Sequence, residues 1–219
     1  MSDSPYRLIH SPSVSAVENM AQDRALLEAF DEDGMPVFRL YGWEESVTIG
    51  ASQTFASCVL LDPTLEAYSD RYAKRMTGGG ILYHGHDLSY SLILPLAMMR
   101  GLSVKESYEK ITGFLLDFYQ ELGLDAHWAK DDPSITLESD PFCQVGFEPY
   151  DIIIQGYKIG GNAQKRTKKA IFQHGSVPLQ RNEYGVSLED LDVVLSEAEA
   201  RERLEKSFRK RYPTFEEQT

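Results

Sequence analysis

The stretch Arg75-Met76-Thr77-Gly78-Gly79-Gly80-Ile81-Leu82-Tyr83-His84-Gly85-His86-Asp87-Leu88-Ser89-Tyr90-Ser91 sets three glycines between strand-like runs. Glycines there let the backbone reach positive φ and approach a ligand closely. Their N–H groups can face an anion or a carbonyl oxygen, and Arg75 adds charge beside them. The run lacks the spacing of a Walker or dinucleotide loop, and a plain glycine-rich hairpin with no ligand is the competing reading. His84, His86 and Asp87 invite a metal. Zinc needs a third and a fourth ligand, and no Cys or His spacing supplies them, so no metal is expected. A turn between two strands, facing a pocket, fits the segment better.

Working outward, Ser15-Ala16-Val17-Glu18 reads as a capping box. It predicts a helix over 15–30 whose apolar face is Val17, Met20, Ala21, Leu26, Leu27 and Phe30. Strands are predicted over 37–41, 46–49, 72–76, 81–84 and 88–94. Ser103 to Glu106 is a second capping box, opening a long amphipathic helix through Leu122, with Gly123 at its C-terminal cap. Further strands fall at 125–129, 150–155 and 170–178, and 187–211 reads as one or two short helices. Strand and helix do not alternate regularly, which argues against a doubly wound parallel sheet. The pattern predicts an α+β domain: a mixed, mainly antiparallel sheet covered by helices. Residues 1–219 are expected to form a single catalytic domain.

With 42% hydrophobic residues over 219 positions, the chain can build one core. No apolar run approaches the roughly 18 residues of a membrane span, and the N-terminus lacks the pattern of a secretory signal. Two cysteines, Cys58 and Cys143, make no disulfide framework, so a cytoplasmic setting and no membrane partner are expected. A net charge of −12 repels nucleic acid. Basic residues nevertheless cluster at Arg71, Lys74 and Arg75, and again at Lys158, Lys165, Arg166, Lys168 and Lys169. They form either solvated loops or a local positive rim suited to an acidic carrier protein or a phosphate-bearing ligand.

Lys158 stands before Gly160-Gly161-Asn162-Ala163, directly after a predicted strand. A lysine there is a compact charge able to hold a carbonyl oxygen or a phosphate, unless the segment is an ordinary surface hairpin. Cys143 sits in a loop-like stretch. A lone cysteine is commonly a small buried hydrophobe, and a nucleophilic role needs a nearby cation, which Lys158 could supply. Cys58 has no such setting and reads as packing.

Four ordered motifs resemble the lipoate–protein ligase and octanoyltransferase family, related in fold to biotin protein ligases. Asn19-Met20-Ala21-Gln22-Asp23 resembles its first helix, with Arg24 where an acidic residue is usual. Leu40-Tyr41-Gly42-Trp43, then Thr48-Ile49-Gly50 and Gln53, resembles its tryptophan and glycine–glutamine hairpin. Arg75 to Gly80 with Leu82-Tyr83-His84 resembles its glycine signature. Lys158 to Gln164, then Gln173-His174-Gly175-Ser176, resembles its lysine motif and following strand.

The resemblance implies a hydrophobic tunnel for an eight-carbon chain and an open edge for a protruding carrier lysine. It also implies an acyl head group held by Arg75, Thr77, Gly78, Gly79, Gly80, His84, Lys158, Gly160, Gly161, Asn162, Ala163, His174 and Gly175. In one transferase class a cysteine shortly before the lysine motif carries the acyl group, and Cys143 occupies that position. The implied activity is transfer of an octanoyl or lipoyl group from octanoyl-acyl carrier protein to a lipoyl-domain or H-protein-like acceptor, with Cys143 and Lys158 catalytic and no cofactor. His84 is then a candidate proton acceptor. The alternative is an ATP- and Mg2+-dependent lipoate–protein ligase acting on free lipoate or octanoate, with or without a separate accessory chain. A third reading is a non-catalytic carrier-binding relative.

Overall fold

In the computed structural model, residues 5–137 and 146–213 are described. In chain order they form β1 (Arg7–Val14), α1 (Ala16–Glu28), β2 (Val37–Trp43), β3 (Ser46–Ile49), α2 (Phe55–Leu61), β4 (Tyr72–Lys74), β5 (Leu82–His84) and β6 (Asp87–Pro95). There follow α3 (Val104–Glu121), β7 (Ala126–Trp128), β8 (Ile152–Ile154), β9 (Tyr157–Lys158), β10 (Gly161–Arg166), β11 (Ala170–Pro178) and α4 (Glu197–Arg211).

Strand β6 explains the layering. Leu88, Tyr90, Leu92 and Leu94 alternate with Asp87, Ser89, Ser91 and Ile93, yet the whole strand is buried. A strand presents successive side chains to opposite faces, so β6 has an apolar face and a largely polar face, both covered. It lies at the centre of a five-stranded sheet ordered β1-β2-β6-β11-β10. Only β1 and β2 pair in parallel there, so the sheet is mixed and mainly antiparallel, as predicted.

The apolar face packs against α3 and α4. Phe38 stacks on Phe208 with centroids 4.0 Å apart and meets Phe114 edge-on at 5.6 Å. Each such buried ring contributes roughly 1.5–3 kcal/mol. The polar face carries α1 and a second sheet ordered β4-β3-β5. A third small sheet, β7-β8-β9, holds the lysine motif.

Both capping boxes form, at Ser15/Glu18 and Ser103/Glu106, and Gly123 takes a φ of 83° just past α3. Other expectations need correction. Met20 is buried as expected, but Val17 and Ala21 are exposed, and α1 buries Ala16, Asn19 and Asp23 beside Met20. The predicted strand over 72–76 stops at Lys74, and the buried Arg75 follows it. Strand β1, helix α2 and strands β9 and β10 form where the sequence pattern predicts no element.

Candidate active site

A cavity enclosing about 720 Å³, its open mouth included, lies between the polar face of the large sheet and the small sheets. Met20, Tyr41, Trp43 and Leu82 supply apolar wall. Arg75, Lys158, Asn162 and His174 supply polar groups, and Gly79 and Gly80 supply backbone.

Lys158 enters through a two-residue hairpin. Gln155 and Gly156 have φ of 53° and 82°, the left-handed pair of a tight turn joining β8 to β9. Its Nζ donates to Asp151 at 2.7 Å and to the Gly146 carbonyl at 3.0 Å. Burial raises the Asp151 carboxyl above its ordinary range, while the Lys158 charge opposes that rise. An ammonium carries three N–H groups. Two are engaged on the cavity wall among the described residues, which leaves the third for a ligand.

Arg75 is buried. Its guanidinium donates to the Thr48 hydroxyl at 2.9 Å, the Thr48 carbonyl at 3.0 Å and the Gly80 carbonyl at 2.5 Å. It therefore shapes the glycine turn from behind. Thr48 Oγ1 is 2.8 Å from His84 Nε2, and His84 Nδ1 is 3.0 Å from Asp87. The donor sequence satisfying every atom runs Arg75 to Thr48, Thr48 to Nε2, and Nδ1–H to Asp87, an assignment made from the network. Burial opposes ionisation of Asp87, but charge interaction with His84 and hydrogen bonds from His84 and Ser176 outweigh it and hold the carboxyl low. His84 also stacks on Trp43 at 3.7 Å. With both ring nitrogens occupied, His84 positions Arg75 and Trp43; the expectation of a proton acceptor does not fit this geometry.

His174, isolated in sequence, closes the far wall. Its Nε2 lies 2.7 Å from Thr77 Oγ1. Burial, then the Arg75 charge, depress its pKa to about 3, so it stays neutral. Asn162 accepts from the Tyr90 hydroxyl at 2.7 Å through its side chain and from Tyr108 through its carbonyl. Gly161, Ala163 and Gly175 also line the cavity. Thr77, Gly78 and Gly160 do not line it. Thr77 acts through His174, the Gly78 carbonyl faces Arg75 at 3.5 Å, and Gly160, with φ of 67°, passes close to the Ser176 carbonyl. Cys143 lies outside the described residues. Cys58 is fully buried, and burial pushes its thiol up, consistent with packing.

The first basic cluster is split, with Arg71 and Lys74 at the surface and Arg75 inside. Arg75 is internal and Arg71 pairs with Glu45 and Asp70. Sequence reading also missed Asp151, Thr48 and Ser89 as site residues. Their signal is weak: each becomes informative only once strand pairing brings it to Lys158, Arg75 or Trp43. Among the described residues, no group of three or more His, Cys, Asp or Glu could hold a metal ion, and no helix is long and apolar enough to cross a membrane.

A family model described as the lipoyl protein ligase A/B catalytic domain matches residues 15–218. The chain belongs to this family. Within it, the chain is 32% identical over 217 residues to octanoyltransferase LipM of Bacillus subtilis, a match covering 95% of this chain and 77% of that one. It is 35% identical over 180 residues to octanoyltransferase LipM of Bacillus cereus, covering 78% of this chain and 64% of that relative. Several of these relatives are thus substantially longer than the region they share with this chain. Among solved structures, a lipoate-protein ligase A bound with ATP superposes with a TM-score of 0.75 at 20% identity, covering 96% of this chain and 86% of that one. That likeness establishes the lipoate ligase-like fold. The ligase-like fold and the octanoyltransferase names of the sequence relatives agree with the resemblance read from the four motifs.

Proposed function

We propose that the chain is a protein N-octanoyltransferase. It takes the octanoyl group from octanoyl-acyl carrier protein and passes it to a lysine of a lipoyl-domain or H-protein-like acceptor. The observation that carries this reading is a cavity with Met20, Trp43 and Leu82 on its wall and an anchored Lys158 beside Gly79 and Gly80. Burying an eight-carbon chain at about 0.8 kcal/mol per methylene supplies several kcal/mol, enough to select chain length. The octanoyltransferase names of the sequence relatives support the same reading.

In the proposed reaction the Cys143 thiolate attacks the donor thioester carbon. The oxyanion receives the third N–H of Lys158 and backbone N–H groups of the glycine turn. The carbonyl re-forms, the donor thiol leaves and takes up a proton, and octanoyl rests on Cys143. The neutral amine of the acceptor lysine then attacks that thioester, an amide forms, and the Cys143 thiol is released. Gly146, three residues after Cys143, lines the cavity and accepts from Lys158. Three residues span at most about 11 Å, so chain length allows the thiol to reach the site. Because the donor is already a thioester, no nucleotide is consumed.

Intact-mass analysis after mixing with octanoyl-acyl carrier protein, without ATP, tests this. A covalent octanoyl adduct is expected in the native chain and absent from Cys143→Ala. No adduct, together with ATP-dependent lipoylation by Cys143→Ala, overturns the reading.

A further inference from the structure

Of the second basic cluster, Lys158 and Arg166 are committed inward. Lys158 is held by Asp151, and Arg166 donates to Gln164 and to Ser107 on α3. Lys165, Lys168 and Lys169 are exposed and make no ion pair among the described residues. Some other exposed cations are matched, as Lys130 is by Asp131 and Glu109, and Lys206 and Lys210 are by Glu121, while those without an ion pair among the described residues, such as Arg24, Lys74 and Arg203, stand singly in the sequence. An unmatched trio on a chain of net charge −12 is a local reversal of sign.

Its placement gives it meaning. Strand β10 is an edge of the five-stranded sheet. Ala163 pairs with His174 and Lys165 with Phe172, so Lys165 shares the sheet face that Ala163 and His174 turn toward the cavity. Two residues of strand place Lys165 about 7 Å beyond Ala163. Lys168 and Lys169 follow in the β10–β11 turn, which is closed by Thr167 N–H to the Ala170 carbonyl at 2.9 Å and by Ala170 N–H to Thr167 Oγ1 at 2.9 Å. One half of the strand lines the site, and the other half with its turn carries ordered positive charge away from it.

We infer that this edge is the docking surface for the acyl donor protein, engaged through an acidic patch on that protein. This rests on the transferase reading above. The donor is favoured over the acceptor by charge. The acceptor presents a lysine ammonium, which three lysines repel, whereas the donor presents a neutral thioester. The rest of the body repels an acidic donor, so the edge also steers its approach.

The test compares native chain with the Lys165→Glu/Lys168→Glu/Lys169→Glu variant on two donors: octanoyl-acyl carrier protein and the small uncharged octanoyl-N-acetylcysteamine. The variant should raise KM for the protein donor about tenfold or more at low salt, leave kcat unchanged, and lose the salt dependence of that KM. It should transfer from the small donor at the native rate. An unchanged KM for the protein donor overturns the docking surface, as does an equal loss on both donors or a shift confined to the acceptor KM. If the native chain transfers octanoyl from neither donor, the transferase reading itself fails.

Discussion

Asp151 holds Lys158 at 2.7 Å with both side chains less than a tenth exposed, so the lysine charge is fixed in direction as well as in place. The Glu148 N–H donates to the same carboxylate oxygen at 2.7 Å and fixes it in turn. Asp151 is therefore a positioning residue for Lys158. Asp151→Asn keeps the shape but weakens a charge-assisted bond worth about 1.5–3 kcal/mol. The expected result is a fall in kcat of about 10- to 100-fold with little change in KM, and partial recovery in Asp151→Glu. Steady-state kinetics on both variants checks this, and an equal loss in the Glu variant would count against positioning.

Thr48 joins Arg75 to His84, accepting from one and donating to the other. Thr48→Val conserves volume but removes one acceptor from the buried Arg75 guanidinium and the donor to the His84 ring nitrogen. Each unmet buried partner costs on the order of 1–3 kcal/mol. Thermal unfolding should show a loss of about that size. Transfer should fall further than stability does, because Arg75 also holds the Gly80 carbonyl at the cavity wall. Native transfer by a destabilised Thr48→Val would mean that Arg75 keeps its place without the hydroxyl.

Local signals carried much of the fold. Capping boxes, the β6 alternation and the long β11 run each depend on neighbours in sequence, and those elements appear where predicted. Helix α1 shows where periodicity misleads. Its buried face is Asn19, Met20 and Asp23, because Arg39 crosses from β2 to pair with Asp23 at 2.8 Å, and Asn19 accepts from the same guanidinium. No apolar pattern announces a buried ion pair. Strand β10 was hidden for a related reason: Gly161 to Arg166 is polar, and its strand character comes from pairing with β11 rather than from propensity. At the site, glycines and charged residues marked the right segments. Asp151 and Thr48 acquire their roles only through contacts that tertiary structure makes.

His174 makes the protein sensitive to mild acid. Its pKa falls from an ordinary 6.5 to about 3 in the fold. Stability linked to the neutral ring is complete above pH 6.5 and is lost as pH falls, since the unfolded chain takes up a proton that the folded chain refuses. Between pH 6.5 and 5 that loss is on the order of 2 kcal/mol. His174→Gln keeps a polar side chain near Thr77 without that titration. The variant should be less stable at pH 7.5 but show a flatter stability profile from pH 6.5 to 5, measured by urea unfolding. Parallel profiles would mean that the ring is protonated in the folded protein.

Gly50 and Gly78 separate two uses of glycine at the loop. A Cβ on Gly50 would stand 1.9 Å from the Gly79 carbonyl oxygen, so Gly50→Ala must displace the turn that lines the cavity. A shift of about 1 Å at a reacting centre costs on the order of 100-fold in rate. A Cβ on Gly78 meets nothing within 4 Å, and Gly78 is not among the positive-φ residues, whereas Gly79 has φ of 96°. Gly78→Ala should therefore fold and transfer octanoyl at close to the native rate, while Gly50→Ala loses transfer and some thermal stability. The contrast holds even though Gly78 belongs to the glycine signature and Gly50 lies outside it, because contact with the turn, rather than membership of the motif, decides the outcome. Assaying both alanine variants side by side with octanoyl-acyl carrier protein settles it: an inactive Gly78→Ala that folds normally would require a ligand pressed against that Cα.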